Sequence, residues 1–356
     1  MKKAILASAC AALLGTALPA SAITFSEFVK GTGTDSIDAV LGQHNTIGFA
    51  YAGDKFVGSV YFGSNNGQLY ATNLDGTNVR KFGTPIPGAS GEMYVSSSLG
   101  LGGFGNRDVY VGHESAGSVY RVKNDGSSVS LFTSGLGGDV RSIAFDPYGK
   151  YGLNMVVATQ NGKIYTVNSA GTATLLADIG QDTEGLDFAP QSFGSFEKGT
   201  LFVASEGSGR IRAISPAGVV TDIGVTVPVA EMLSFVPLTL GDSGSSLEGF
   251  YAASYPNNIV HAPASEFAAY KGDAIVTSET SPGSVYRIHW NGTAFETSVV
   301  SGFPAQPEDG IFVTRAILNP VPEPETYAMM LTGLGLLGAM ARRRQGLGAP
   351  ARGNRQ

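Results

Sequence analysis

The chain alternates apolar and polar positions with period two over many short stretches. VGSVYFGSNNGQLYATNLDG, RDVYVGHESAGSVYRVKNDG, LNMVVATQNGKIYTVNSAG, GTLFVASEGSGRIRAISPAG and GDAIVTSETSPGSVYRIHWNG each read as a strand, a small-polar turn, a second strand and a closing Gly turn. A weaker copy, GFYAASYPNNIVHAPAS, lies between the fourth and the last. Equivalent positions are Tyr70, Tyr120, Tyr165, Arg212, Val260 and Tyr286, so the steps are 50, 45, 47, 48 and 26 residues. Between the hairpins a second element recurs: GEMYVSSS, GGDVRSIAFDP, DTEGLDFAP, VAEMLSFVP and PEDGIFVTR. Each is an acidic residue or two followed by one alternating strand.

A strand-only repeat in the high forties has the length of a four-stranded β-propeller blade. A single blade cannot bury both faces, so blades stack around an axis. The pattern therefore predicts an all-β propeller over residues 23–319. Six hairpins point to six blades, while the short last step leaves a truncated blade or a five-blade count open. The lone strand before each hairpin is expected to be innermost. Its acidic start would then face the other starts around a central channel.

Composition changes this picture little. The 49 glycines among 356 residues follow no G-X-Y period and fit many tight turns. The ends change it more. Lys2 and Lys3, the apolar run from Ala4 to Leu18 and the small residues Ala20-Ser21-Ala22 form a secretory signal peptide over residues 1–22, which implies export through the Sec translocation machinery. The single cysteine, Cys10, falls inside it; too few apolar residues precede Cys10 for a lipoprotein signal. The processed chain is thus expected to hold no disulfide and no thiolate metal site. From Ile23 to Pro320 there are 16 basic and 27 acidic residues, a net −11. Such a body is a poor partner for nucleic acid or an anionic surface and a better one for cations.

TEGLDFAP followed by GTLFVASEGSGRIRAISPAG resembles the NHL-repeat and gluconolactonase-like propellers. In gluconolactonase-like members, acids and an asparagine at inner-strand starts hold a divalent cation. The resemblance carries that role to Glu92, Asp139, Glu184, Glu231 and Glu308 or Asp309. No strand start here supplies the asparagine. Carboxylates converging on a narrow channel raise one another's pKa, and a cation such as Ca²⁺, protonation or basic neighbours must compensate. The alternative is a solvated rim, in which Arg141 pairs with Asp139 two residues away. The Asp-Gly stretches NLDGTN and KNDGSS lack the closing acid of a calcium loop and read as hairpin turns. The four histidines have no ligand spacing, and no G-x-S-x-G elbow or phosphate loop is present. Trp290 reads as core.

From Val321 the pattern breaks. Pro322-Glu323-Pro324 cannot continue a sheet. Tyr327–Ala341 is a 15-residue apolar or small run. As a helix it would span only about 22 Å, against a hydrocarbon core of about 30 Å. Arg342, Arg343 and Arg344 would hold its end on the cytoplasmic side. This order of Pro-Glu-Pro, short apolar helix and basic cluster over residues 320–345 resembles the PEP-CTERM sorting domain, with residues 346–356 a basic tail. The resemblance implies an exosortase as partner, cleavage near Pro322–Pro324, and release or attachment at the cell surface. It further implies company with exopolysaccharide and biofilm matrix components. Two functions follow as expectations. One is a non-catalytic binding or matrix protein of the envelope; the other is a divalent-cation-dependent hydrolase of the gluconolactonase-like kind.

Overall fold

A computed structural model describes residues 22–61, 67–114 and 116–314. Residues 1–21 of the signal peptide and the whole sorting segment, including Pro322, Glu323, Pro324 and Arg342–Arg344, lie outside the described residues.

Six four-stranded antiparallel sheets form the body. A strand β1 (Ser26–Val29) precedes them. Blade one is β2 (Thr46–Tyr51), β3 (Phe56–Val60), β4 (Leu69–Thr72) and β5 (Arg80–Phe82). Blade two is β6 (Met93–Ser97), β7 (Val109–His113), β8 (Ala116–Val122) and β9 (Val129–Ser134). Blade three is β10 (Val140–Phe145), β11 (Met155–Thr159), β12 (Lys163–Val167) and β13 (Ala173–Asp178). Blade four is β14 (Gly185–Phe188), β15 (Leu201–Ala204), β16 (Arg210–Ile214) and β17 (Val220–Thr226). In all four, sequence order is spatial order from the axis outward.

The last two blades are interleaved. The chain lays down β18 (Ala230–Phe235), then leaves to build the hairpin β19 (Gly249–Tyr255) and β20 (Asn258–Pro263). It returns through a 3-10 turn at Ala264–Tyr270 for β21 (Ala274–Ser278), β22 (Ser284–Trp290) and β23 (Phe295–Gly302), and ends with β24 (Gln306–Val313). Blade five is β18-β21-β22-β23, and blade six is β24-β19-β20-β1. The 26-residue step in the repeat is thereby explained. The hairpin GFYAASYPNNIVHAPAS is a pair of blade-six strands inserted inside blade five, so the count is six and no blade is truncated. The termini of the body meet in blade six, with β1 outermost and β24 against the axis. That pairing closes the ring and leaves no free end between first and last blades.

The inner strands β2, β6, β10, β14, β18 and β24 each touch the next, and β24 touches β2. Their close approach requires small residues. A Cβ on Gly185 would lie 2.4 Å from the Leu233 amide nitrogen and 2.5 Å from the Glu231 carbonyl oxygen. The core is the set of interfaces between blades rather than a single centre. Phe49 and Phe56 stack at 5.0 Å, and Phe28 and Tyr251 pack edge-on or tilted against them where blade six meets blade one. Tyr70 is fully buried over Gly58, where any side chain would collide with its ring. Both Asp-Gly stretches are turns: Asp75 Oδ1 accepts from the Thr77 amide and Asp125 Oδ1 from the Ser127 amide. Trp290 packs against Phe295 in the fourth–fifth blade interface.

Candidate functional site at the two mouths of the channel

Each inner strand begins at one mouth of the channel and ends at the other. At the starting mouth the acids gather. Glu92, Glu184, Glu231 and Glu308 lie at this mouth, near enough to act on one another electrostatically. They are joined by Asp182, the first acid of DTEGLDFAP, and by Glu114, Glu206 and Glu279, which lie outside the inner-strand repeats. Glu114, Glu206 and Glu279 sit in the turn after the second strand of blades two, four and five. The signal was present in HESAG, SEGSG and SETSPG, each with Glu at the same point of its hairpin.

Arg141, on β10, is the cation among them, with a side chain only 10% exposed. Its Nη1 donates to Glu92 Oε2 at 2.9 Å and to Glu114 Oε1 at 2.5 Å. Its Nη2 lies 3.4 Å from Asp182 Oδ2, and its Nε 3.5 Å from Glu184 Oε1. Arg141 therefore gathers carboxylates from the two flanking blades, two and four, and makes no bridge with Asp139. The charge of Asp139 instead acts on His113, opposing the downward pull of burial on that imidazole. Tyr94 Oη donates to Glu92 Oε2 at 2.6 Å and lies 2.9 Å from Glu184 Oε2.

Arg141 compensates one half of the ring. The other half holds Glu231, Glu279 and Glu308. Gln306 Nε2 donates to Glu279 Oε1 at 2.6 Å and to Glu308 Oε1 at 3.0 Å. Glu231 is 3% exposed, and its Oε2 has no hydrogen-bond partner among the described residues. Burial, then the neighbouring carboxylates Glu184, Glu308 and Glu279, push Glu231 well above the usual carboxylate range. Burial and then Glu92 and Glu279 do the same to Glu308. Burial lifts Glu279 to about 7, with Glu206 and Glu92 adding to it. Desolvation likewise raises Glu184, against the opposing pull of Arg141. One carboxylate oxygen from each of Glu92, Glu279 and Glu308 lies within 4.8 Å of the others, and so does one from each of Asp182, Glu184 and Glu206. Both sets are oxygen-only, the donor chemistry of a hard cation.

Asp309 is not part of this mouth. Its neighbour Glu308 points to the acids, and the alternation of β24 turns Asp309 down the channel. There it accepts from the amides of Gly310, Phe49 and Val95. Asp187 does the same for the amides of Phe188 and Phe235, both at 2.7 Å. These two carboxylates satisfy inner-strand amides that have no ladder partner, and so join neighbouring blades.

Below the acids the channel widens into a cavity of about 1110 Å³. Its walls include Phe145, Leu186, Phe188, Leu233, Phe235 and Phe312, with Ser96, Ser142 and Ser234 as polar points. Glu184, Glu231 and Tyr94 border it at the acidic end. No helix among the described residues is long and apolar enough to cross a membrane.

Comparison with solved structures finds propellers of low identity. A crystal structure of a nidogen/laminin complex is 15% identical with a TM-score of 0.49, over 75% of this chain and 84% of that one. A selenomethionine-substituted virginiamycin B lyase from Staphylococcus aureus is 13% identical with a TM-score of 0.46, over 78% of this chain and 88% of that one. A streptogramin B lyase is 11% identical with a TM-score of 0.46, over 79% and 88%. No curated protein matches the chain. Residues 320–345 match the PEP-CTERM protein-sorting motif. The chain is a six-bladed β-propeller that carries this motif at its C-terminus, made as an exported, membrane-anchored precursor sorted to the cell surface.

Proposed function

We propose that the sorted protein acts outside the cell as a non-catalytic binding protein of the envelope, its exopolysaccharide or its biofilm matrix, with the central channel as its ligand site. The observation that carries this reading is the cavity of about 1110 Å³ with its mostly apolar walls. Deep, mostly apolar hollows with a few polar points are what small-ligand sites look like. The test is titration of the exported protein with the apolar dye 1-anilinonaphthalene-8-sulfonate, beside a Ser234→Trp variant that fills the lumen from a half-buried wall position. Dye binding lost in the variant at unchanged melting temperature supports the reading. Equal binding by both proteins overturns it.

A second reading rests on Glu231. An unpartnered, buried carboxylate oxygen beside two oxygen triads is a natural seat for a divalent cation such as Ca²⁺. A cation there could polarise a carbonyl and acidify a bound water, as a hydrolase of the gluconolactonase-like kind requires. Arg141 pairs with Asp182 and Glu184 of one triad but only with Glu92 of the other, so the Glu279 and Glu308 side, next to Glu231, is the less compensated seat. Metal analysis of the exported protein, then lactone hydrolysis with and without chelator, separates the two readings. A metal-free protein whose melting temperature ignores added Ca²⁺ removes the second.

A further inference from the structure

The two mouths differ in a way that the channel reading leaves unused. The acidic one lies at the starts of the inner strands. The other, at their ends, is built by the loops that follow them. Tyr148 (38% exposed) and Leu238 (42% exposed) stand at this rim, two of the few large apolar side chains that the body presents to solvent. Lys198 lies over the Tyr148 ring at 4.8 Å. An aromatic, an aliphatic and a lysine together are the residue set of a bilayer interface. Thr314, the last described residue, lines the same mouth. The chain to the sorting segment therefore leaves from here.

We infer that this mouth faces the bilayer and takes one acyl chain of a phospholipid from the leaflet that anchors the precursor. The inference rests on the channel being a ligand site and names what enters it. Three observations carry it. The first is the tether. Thirteen residue steps separate Thr314 from Tyr327, where the apolar run begins. Fully extended, they reach at most about 45 Å, so the rim is held near the membrane surface. The second is charge. The acidic mouth, at the opposite end of the strands, is repelled by anionic headgroups, which favours the same orientation. Lys198 at the near rim can meet a lipid phosphate. The third is the wall. Phe145, Leu233, Phe235 and Phe312 offer apolar surface to a chain that enters. Asp187 and Asp309 also line it, but their oxygens are engaged by backbone amides and their charge stays close to the wall.

The experiment uses the full chain in phosphatidylglycerol/phosphatidylcholine vesicles that contain phosphatidylglycerol with a photoactivatable acyl terminus. Crosslinks are mapped by mass spectrometry. The expected result is label in the channel-wall peptides 142–148 and 231–239 as well as in the apolar run. In a Tyr148→Glu, Leu238→Glu double variant, altered only at exposed positions, wall label falls about tenfold while label in the run persists. Label confined to residues 327–341, or equally frequent at the outer-strand residues Leu131 and Leu175, overturns the inference. If the dye still enters the channel of the exported protein while no acyl label reaches it, the lipid inference alone falls. If neither enters, the binding reading falls with it.

Discussion

Replacing Arg141 by Gln tests the electrostatic account of the acidic mouth most directly. The guanidinium touches Glu92, Glu114, Asp182 and Glu184 within 3.5 Å and is largely buried. At an effective dielectric near 20, one such contact at 4 Å is worth about 4 kcal/mol before desolvation is counted. Removing one partner of a buried pair typically costs about 3–5 kcal/mol, because the other charge is left uncompensated. The orphaned carboxylates have an escape, which is to take up protons. Their folded pKa values then rise above their unfolded values of roughly 4. Folded protein binds more protons than unfolded, so stability falls as pH rises from the unfolded pKa through the folded one. The difference between wild type and Arg141→Gln is therefore small near pH 5 and full near pH 8. At about 2–4 °C per kcal/mol for a chain of this size, the melting temperature drops by roughly 6–20 °C at pH 8. Thermal melts of both proteins from pH 5 to 8 decide it. A loss that is the same at every pH, or that stays under about 1 kcal/mol at pH 8, would refute the reasoning and return the acids to a solvated rim.

Other outcomes follow from the same geometry. In the wild type, Glu231 and Glu308 are raised by burial and Glu279 to about 7, so these groups favour the folded state below the unfolded pKa and lose that advantage as pH climbs through 7. The melting temperature should fall between pH 6 and 9, and added Ca²⁺ should restore it at pH 8 if the second reading of the acids holds; a rising profile contradicts the assignment. Gly185→Ala drives a Cβ into the backbone of β18 and should cost about 1–3 kcal/mol in urea unfolding; a neutral result would mean the inner ring can open. Pro322→Ala or Pro324→Ala should block C-terminal shortening of the exported protein. Mass spectrometry reads this directly, and an intact Gln356 in the surface form of the wild type would be incompatible with processing at the motif.

The alternation of single residues was enough to place most strands. KIYTVN, RIRAIS and their equivalents pair as third strands because a period of two leaves one face for each neighbouring blade. The inner strands after Glu92, Asp139, Glu184 and Glu231 were legible for the same reason. The first blade's inner strand, TIGFAY, was not. It carries no acid at its start, and all six of its residues are buried, so it shows no alternation. The interleaving of blades five and six was hidden as well. Strand pairing across a ring depends on which edges are free once the chain closes, and local pattern is blind to that.

The site divides along the same line. Residue type and spacing alone were enough to line up acids at the starts of the inner strands and to mark the sorting motif over residues 320–345. Only the tertiary structure decided which acids meet. Arg141 on β10 stands two residues after Asp139, which precedes the strand, yet its guanidinium pairs with carboxylates of the two flanking blades, two and four, because ring closure sets the starts of their inner strands beside it. Glu308 and Asp309 are adjacent in sequence, and the alternation of β24 sends them to different parts of the channel. The apolar mouth, its lysine and the exit of the chain beside it come from loops far apart in sequence. Closure of the ring assembles them, and no stretch of the chain encodes that closure by itself.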